Sequence, residues 1–261
     1  MSECAERWSL RLGEPFGYAF ASLAMPATRA DGSAAVLKIQ FPDPEGEHEA
    51  DALARWAGEG AVLLFDHDPE RRALLIERCV PGTSLALMDP EDALDAAIAL
   101  LPRLWVHAGA PFRTLADEAE EWAAGLPIAW ERFGRPFERR LLDAALEALR
   151  QLPASQGPQV LLHQDLHADN VLAAEREPWL VIDPKPLVGE REFGVTALVR
   201  GGELGDGPSV VRRRLDRLSE GLRLDRDRVK GWTVGQTLAW AWSDEGFDPG
   251  QVEQARWALD A

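Results

Sequence analysis

Three short apolar runs between residues 160 and 182 constrain the fold of this 261-residue chain more than any other feature. The runs are Val160–Leu162, Val171–Leu172 and Trp179–Ile182. Short apolar runs of this kind are typical of buried β-strands, and polar residues separate one run from the next. The sequence therefore predicts closely spaced strands whose ends carry polar groups.

Four polar side chains lie at the ends of these runs, namely His163, Asp165, Asn170 and Asp183. The order His-x-Asp-x-x-x-x-Asn, followed by a further Asp, is typical of phosphoryl-transfer sites. In such a site one carboxylate accepts the proton of an attacking hydroxyl, while an amide and a second carboxylate bind magnesium ions. The spacing therefore favours phosphoryl transfer.

Two other interpretations of this stretch are open at this point. A single Asp after an apolar run is commonly a turn former or a helix cap. The alternating His and Asp residues of segment 163–169 are also candidate zinc ligands. A zinc site would need further His residues, and the other three in the chain do not form a second cluster.

Composition and charge limit the class of protein. A content of 46% hydrophobic residues with ten Trp excludes a disordered chain, and two Cys provide no disulfide framework. The first residues include acids and no apolar leader, so we expect a cytoplasmic protein without a membrane partner. The net charge of −16 argues against nucleic acid as a partner, and the excess acids are interpreted mainly as a solvated surface.

The first third of the chain is predicted to form a β-rich domain. Residues 7–41 predict a meander of strands, residues 45–58 a helix, and two further strands follow at 61–65 and 73–77. The Pro81-Gly82 break then marks a domain boundary, which gives an N-terminal lobe at residues 1–80 and a C-terminal lobe at 81–261. The second lobe is predicted to be mainly helical.

Lys38 is a candidate phosphate ligand. The chain has 28 basic residues, of which only three are Lys, and this one lies inside an apolar strand. A compact ammonium on a flexible stem can reach phosphate oxygens from such a position. Glu49, in the following helix, is the candidate partner that holds Lys38, with Glu47 as the alternative. The backbone from Glu77 to Cys79, at the lobe boundary, is where an adenine edge is expected to bind.

Five strands with one helix, a Pro-Gly hinge and a helical second half resemble the protein-kinase-like fold, an α+β bilobal architecture. Within that fold the chain resembles the aminoglycoside phosphotransferases, and most closely the streptomycin 6-phosphotransferase and hydroxyurea-resistance kinase family. The segments that carry the resemblance are His48–Ala50, Ala61–Leu64, Leu75–Arg78, Pro81–Thr83, Leu162–Leu172 and Ile182–Glu190. The loop usual in that family has Gly in place of Gln164 and Pro-Gly in place of Ala168-Asp169.

The resemblance implies a role for each matching residue. Asp165 matches the catalytic base, and Asn170 and Asp183 match the magnesium ligands. Lys38 matches the phosphate-binding lysine and Glu49 its helix partner, while the backbone of Glu77 and Cys79 matches the adenine site. The implied cofactors are ATP and Mg²⁺.

These observations predict a kinase that phosphorylates a hydroxyl of a small molecule, of which a streptomycin-type aminoglycoside is the first candidate. Because streptomycin carries guanidinium groups, acids are expected in its pocket, and the candidates are Glu190, Glu192, Asp244 and Glu245. The alternatives are a kinase for hydroxyurea, a sugar or an amino sugar, and a nucleotide-binding pseudokinase that acts as a partner protein. The protein is expected to be a monomer or dimer.

Overall fold

The computed structural model describes residues 2–17, 22–243 and 246–261. Its helices and strands, labelled in chain order, are α1 (Ser2–Arg7), β1 (Arg11–Leu12), β2 (Ser22–Thr28), β3 (Ala34–Gln40), α2 (Glu49–Trp56), β4 (Leu64–Asp68), β5 (Ala73–Glu77), β6 (Pro81–Ser84), α3 (Pro90–Leu104), β7 (Arg113–Thr114), α4 (Leu115–Arg132), α5 (Arg139–Gln151), β8 (Gln159–Leu162), β9 (Val171–Ala174), β10 (Trp179–Val181), β11 (Leu187–Glu190), α6 (Thr196–Arg200), α7 (Pro208–Leu222), α8 (Arg226–Ala239) and α9 (Pro249–Asp260).

The first five strands form one antiparallel sheet in the order β1-β2-β3-β5-β4. With α2 beside it, this sheet confirms the predicted small β-rich part of an α+β fold. The short helix α1 is an addition, and its Cys4 packs on Met25 and Leu37 of the sheet. Residues 18–21 of the predicted second strand lie outside the described part of the chain.

The fourth strand differs from the prediction. A strand was expected at 61–65 and a turn at 66–69, whereas β4 runs from Leu64 to Asp68. Ala61 instead forms an isolated parallel bridge to Val181 of β10, outside the sheet. Asp68 is fully buried and accepts a hydrogen bond from Arg7 at 2.8 Å. This tertiary ion pair holds the last residue of β4 in place.

Beyond β5 the chain is mainly helical, with two small sheets of order β10-β9-β6 and β7-β11-β8. Strand membership changes at Pro81, where β6 pairs with β9, and the lobe boundary between residues 80 and 81 stays a prediction. Helix α4 was not predicted, because Gly125 and Pro127 inside it are residues that usually interrupt helices. None of the helices in the described residues is long and apolar enough to cross a membrane.

Helix α2 is fixed to the helical part of the molecule by its last residue. The indole Nε1 of Trp56 donates to the carbonyl of Leu104 at 2.8 Å, and the ring stacks on His163 with 6.4 Å between ring centres. The main hydrophobic core is therefore continuous from α2 into the helices that follow. This contact places α2 beside the loop that joins β8 to β9.

Candidate active site

The loop between β8 and β9 is held by hydrogen bonds within its own backbone. The N–H of Asp165 donates to the carbonyl of His163 at 2.7 Å, and the N–H of His167 donates to the carbonyl of Asp165 at 3.0 Å. The N–H of Asn170 closes the loop on His167, also at 3.0 Å. The short strands on either side therefore deliver Asp165 and Asn170 from a fixed turn.

Gln164 adopts a backbone conformation that favours glycine, with a φ of +62°. Its carbonyl accepts a hydrogen bond from the side chain of Gln236 in α8, at 3.3 Å. Gln236 is itself oriented by Thr196, whose hydroxyl donates to its amide oxygen at 2.7 Å. Strained backbone of this kind persists where the surrounding structure holds it, and here it brings the next residue, Asp165, into the cleft.

His163 connects the two strands behind the loop. Its Nε2 lies 2.8 Å from the carbonyl oxygen of Ile182, so this nitrogen carries the proton and donates. Burial lowers the pKa of the imidazole to about 4, and the ring is therefore neutral at physiological pH. His163 therefore holds the segment that leads to Asp183, and its ring is directed at the protein backbone and not at a substrate.

Asn170 and Asp183 are neighbours across the pair of strands β9 and β10. The N–H of Ile182 donates to the carbonyl of Asn170 at 3.0 Å, which sets Asp183 beside it. The amide nitrogen of Asn170 donates to the carbonyl of Asp165 at 2.9 Å, leaving the amide oxygen as a possible ligand. Asp183 has a φ of +55° and a side chain that is 53% exposed. Amide and carboxylate oxygens are ligands that magnesium prefers.

The zinc interpretation finds no support in this part of the protein. Within residues 2–17, 22–243 and 246–261, no group of three or more His, Cys, Asp or Glu side chains is arranged to hold a metal ion. His163 is directed at a backbone carbonyl, and His167 lies 3.3 Å from Glu203.

Lys38 lies between the carboxylates of Glu49 and Asp183, and the sequence predicted the contact with Glu49. Its Nζ is 2.5 Å from Oε2 of Glu49 and 2.5 Å from Oδ1 of Asp183. Gln40 donates to the same oxygen of Glu49 at 2.8 Å. Burial alone would lower the pKa of Lys38, but the two carboxylates outweigh it and raise the pKa, so the ammonium stays charged. For Asp183 the effect of Lys38 outweighs that of burial and lowers the pKa.

Asp165 faces two cations that sequence reasoning missed. Its Oδ1 lies 3.2 Å from Nη2 of Arg200, and its Oδ2 lies 3.9 Å from Nζ of Lys185. Lys185 also donates to Glu45, at 2.9 Å, in the segment that precedes α2. The scarcity of Lys in this chain was a signal that could have identified Lys185, whereas Arg200 is one of many Arg residues and had none.

In the segment predicted to bind adenine, Glu77 to Cys79, the first residue is already bonded within the protein. The backbone N–H of Glu77 already donates to the carbonyl of Leu63 at 2.8 Å, and its carboxylate accepts from Arg176 at 2.8 Å. Glu77 is therefore committed to contacts within the protein. Cys79 is buried and has no backbone hydrogen bond to another described residue, so its peptide groups are the candidates that stay open.

Glu190 is misassigned by the sequence. It pairs with Gln159, at the end of β8 opposite the catalytic loop, and its side chain is 1% exposed. Its Oε1 accepts from Arg228 at 2.7 Å and from Trp232 at 2.5 Å. Glu190 is thus an acid of the core and not an acceptor ligand.

The other three acids proposed for the acceptor pocket are Glu192, Asp244 and Glu245. Glu192 lies in the turn at residues 191–195, and its carboxylate is 3.5 Å from the backbone nitrogen of Asp225, the residue before the N-terminus of α8. Asp244 and Glu245 lie outside the described residues. The structure therefore brings together Lys38, Glu49, Asp183, Asn170 and Asp165, and it leaves the acceptor ligands as predictions.

Comparisons with known proteins identify the family of this chain. The family of aminoglycoside/hydroxyurea antibiotic resistance kinases matches residues 7–246. Streptomycin 6-kinase from Streptomyces griseus is 41% identical over 245 residues, covering 91% of this chain and 80% of that protein. Hydroxyurea phosphotransferase from Kitasatospora aureofaciens is 41% identical over 243 residues, covering 91% and 70% respectively.

A solved structure gives the same result for the fold. A thermostable mutant of the aminoglycoside phosphotransferase APH(4)-Ia, in a ternary complex with ADP and hygromycin B, superposes with a TM-score of 0.67. It is 14% identical and covers 99% of this chain and 95% of its own. At that identity the likeness concerns the fold alone, and it confirms the protein-kinase-like architecture. The chain belongs to the aminoglycoside/hydroxyurea antibiotic resistance kinase family.

Proposed function

We propose that this phosphotransferase uses ATP and magnesium to phosphorylate a hydroxyl of a streptomycin-type aminoglycoside, and so confers resistance to it. One observation carries the proposal. Asp165, Asn170, Asp183 and Lys38 converge from separate elements, with Lys38 bonded to Asp183 at 2.5 Å and Asn170 bonded to the backbone of Asp165 at 2.9 Å. The identity of 41% to streptomycin 6-kinase supports the choice of acceptor.

Three side chains are suited to hold the nucleotide and its metal ion. Asn170 and Asp183 offer an amide and a carboxylate oxygen, and hard oxygen donors are what magnesium prefers. Lys38 offers an ammonium that Glu49 keeps in place at 2.5 Å. Bound magnesium neutralises phosphate charge and orients the phosphoryl group that is transferred. The free peptide groups of Cys79 are proposed to bind the adenine edge.

Asp165 is proposed to act on the acceptor. It orients the hydroxyl and accepts its proton as the hydroxyl oxygen forms the new bond to phosphorus and the bond to the leaving ADP breaks. Arg200 and Lys185 lie near this carboxylate, with Nη2 of Arg200 3.2 Å from Oδ1 and Nζ of Lys185 3.9 Å from Oδ2.

The acceptor pocket is proposed to lie beside Asp165 and to contain acids that bind guanidinium groups. Asp244 and Glu245 stay as candidates. Glu192 does not, because it contacts Asp225 at the N-terminal end of α8, whereas Gln236, near the other end of that helix, contacts the catalytic loop. Carboxylates bind guanidinium through paired hydrogen bonds, which suits streptomycin.

A second candidate acceptor is hydroxyurea or another small metabolite such as a sugar or amino sugar. The observation that favours it is the 41% identity to hydroxyurea phosphotransferase, equal to that for streptomycin 6-kinase. The pseudokinase alternative is disfavoured, because the chain has Asp165, Asn170, Asp183 and Lys38, and contacts at 2.5 Å and 2.9 Å link them in pairs. We also propose that the protein is cytoplasmic, a monomer or dimer, and has no nucleic acid partner.

The test is the release of ADP from ATP and magnesium with a panel of acceptors: streptomycin, other aminoglycosides, hydroxyurea and amino sugars. We expect streptomycin to stimulate ADP release and to gain one phosphoryl group by mass. Stimulation by hydroxyurea alone would establish the second candidate. Binding of ATP with no stimulation by any acceptor would contradict both.

A further inference from the structure

The two oxygens of Asp165 have different neighbours. Oδ1 lies 3.2 Å from the guanidinium of Arg200, a hydrogen-bonding distance. Oδ2 lies 3.9 Å from Nζ of Lys185, which is too long for a hydrogen bond, and Lys185 is drawn instead to Glu45 at 2.9 Å. One oxygen is therefore held by the protein, and the other is left open to an incoming hydroxyl.

Arg200 is itself held in place. It is the last residue of α6, its side chain is 12% exposed, and its guanidinium lies 5.0 Å from the ring centre of Trp240. Packing of a guanidinium against an indole restricts the orientation of its planar group. The donor that reaches Asp165 therefore comes from an ordered position and not from a free surface chain.

The fold alone does not account for an Arg at this position. The Nε of Arg200 is buried and finds no hydrogen-bond acceptor among the described residues. A buried guanidinium with an unmet donor is unfavourable for stability, and an apolar side chain of similar length would fill the space at lower cost. Within the described residues, Asp165 is the one group that accepts a hydrogen bond from this side chain.

We propose that Arg200 is a positioning residue for the catalytic base. By holding Oδ1 it fixes the plane of the Asp165 carboxylate, so that Oδ2 faces the hydroxyl of the acceptor. Reaction rates depend steeply on such alignment, because a displacement of about 1 Å at a reacting group can cost about a hundredfold in rate. This inference rests on the proposed function, in which Asp165 accepts the proton.

The experiment compares Arg200→Met with the unmodified enzyme in acceptor-dependent ADP release. We expect kcat to fall by about a hundredfold. The KM for ATP should stay within about twofold, because Arg200 contacts none of the nucleotide-site residues. The thermal midpoint should fall only slightly, because the side chain of Asp165 is 21% exposed and water can bind the oxygen that Arg200 leaves. Arg200→Lys keeps a cation and should recover part of kcat.

Arg191→Met is the matched control. Arg191 also packs over an indole, with its guanidinium 5.6 Å from the ring centre of Trp105, and it has no hydrogen bond from its side chain to a described acid. Its kcat should equal that of the unmodified enzyme. Full activity of Arg200→Met, or a fall in kcat that tracks a fall in the thermal midpoint, would overturn the inference.

A double-mutant cycle with Asp165→Asn separates this inference from the proposed function. In the Asp165→Asn background, Arg200→Met should change kcat less than about threefold, because the group that Arg200 positions has lost its role. The same cycle is followed by thermal unfolding, which needs no acceptor. If the unmodified enzyme turns over no acceptor, the proposed function fails. The thermal cycle still tests the inference in that case, because additive effects of the two substitutions on the thermal midpoint would show that Arg200 and Asp165 do not interact.

Discussion

Glu49 and Glu190 are equally buried acids, but they differ in how completely their carboxylates are hydrogen-bonded. Each is 1% exposed and each is paired with a cation. Glu190 is enclosed by donors, since Arg228, Trp232 and the N–H of Gly157 all bond to its carboxylate. Glu49 receives its bonds on Oε2 alone, and its Oε1 has no hydrogen-bond partner among the described residues.

The difference indicates how to distinguish an acid of the fold from an acid of the site. Glu190 ties β11 to α8, and all its hydrogen-bonding capacity is used inside the core. The pair of Glu49 and Lys38 continues to Asp183, a side chain that is 53% exposed to the cleft. An unmet buried oxygen is unfavourable for stability, and such exceptions occur where function requires them. Burial is therefore the same in both acids, and the unmet oxygen of Glu49 is the feature that differs.

Of the changes that test this comparison of two acids, Glu49→Gln is expected to have the largest effect on catalysis. Loss of this carboxylate removes the anion that holds Lys38 toward the phosphates, and we expect kcat/KM for ATP to fall by about 10² to 10³-fold. The loss of thermal stability should be smaller than for Glu190→Gln, because Lys38 still pairs with the carboxylate of Asp183. The measurement is initial rates over a range of ATP concentrations.

Glu47→Gln is the control for that variant, because Glu47 is exposed and lies two residues earlier in the same segment. It should behave as the unmodified enzyme. If both variants kept full kcat/KM, or if Glu49→Gln simply failed to fold, the distinction between the two acids would not hold.

For Glu190→Gln the effect should fall on stability instead. The variant leaves Arg228 buried without its counter-charge, and breaking a buried pair in this way typically costs about 3 to 5 kcal/mol. We expect a lower urea midpoint with unchanged kcat at low temperature. Glu192→Gln, a partly exposed neighbour, should shift the free energy of unfolding by less than about 0.5 kcal/mol. A change in kcat without loss of stability would reverse the assignment.

His163 extends the comparison to a buried group that is neutral. Its pKa is about 4 in the folded protein, below the ordinary value of 6.5, because burial disfavours the charged ring. Between these two values the unfolded chain binds the proton and the folded protein does not. The contribution of His163 to the free energy of unfolding is therefore at its full value above pH 6.5. It decreases as the pH drops toward 4, by about 3 kcal/mol in total.

The measurement is urea unfolding at several pH values, for the unmodified protein and for His163→Asn. The variant keeps a donor for the carbonyl of Ile182 but cannot be protonated in this range. Its stability should have a shallower dependence on pH between 6.5 and 4. Identical slopes for the two proteins would contradict a neutral, buried imidazole.

The sequence was sufficient for the groups that lie close together along the chain. Asp165, Asn170 and Asp183 could be identified because one loop and one strand pair supply all three. Lys38 could be identified because an isolated Lys inside an apolar strand is unusual in a chain that mostly uses Arg. The five-stranded sheet followed from alternating runs and turn residues in the same way.

The remaining groups depend on tertiary packing, which residue patterns do not record. Arg200 reaches Asp165 from the end of α6, and the contact between Glu45 and Lys185 joins segments far apart in the chain. Glu190 was misassigned because the sequence gives no sign of Arg228 across the core. Helix α4 forms despite Pro127 because its buried face packs into the core.

The measurement that tests this account most directly is acceptor-dependent ADP release by Asp165→Asn, together with the affinity of the variant for ATP and magnesium. The substitution keeps the size of the side chain and removes the group that accepts the proton. We expect kcat to fall by about 10³-fold while nucleotide affinity stays within about twofold. Turnover within about threefold of the unmodified enzyme would contradict Asp165 as the base, and with it the proposed mechanism.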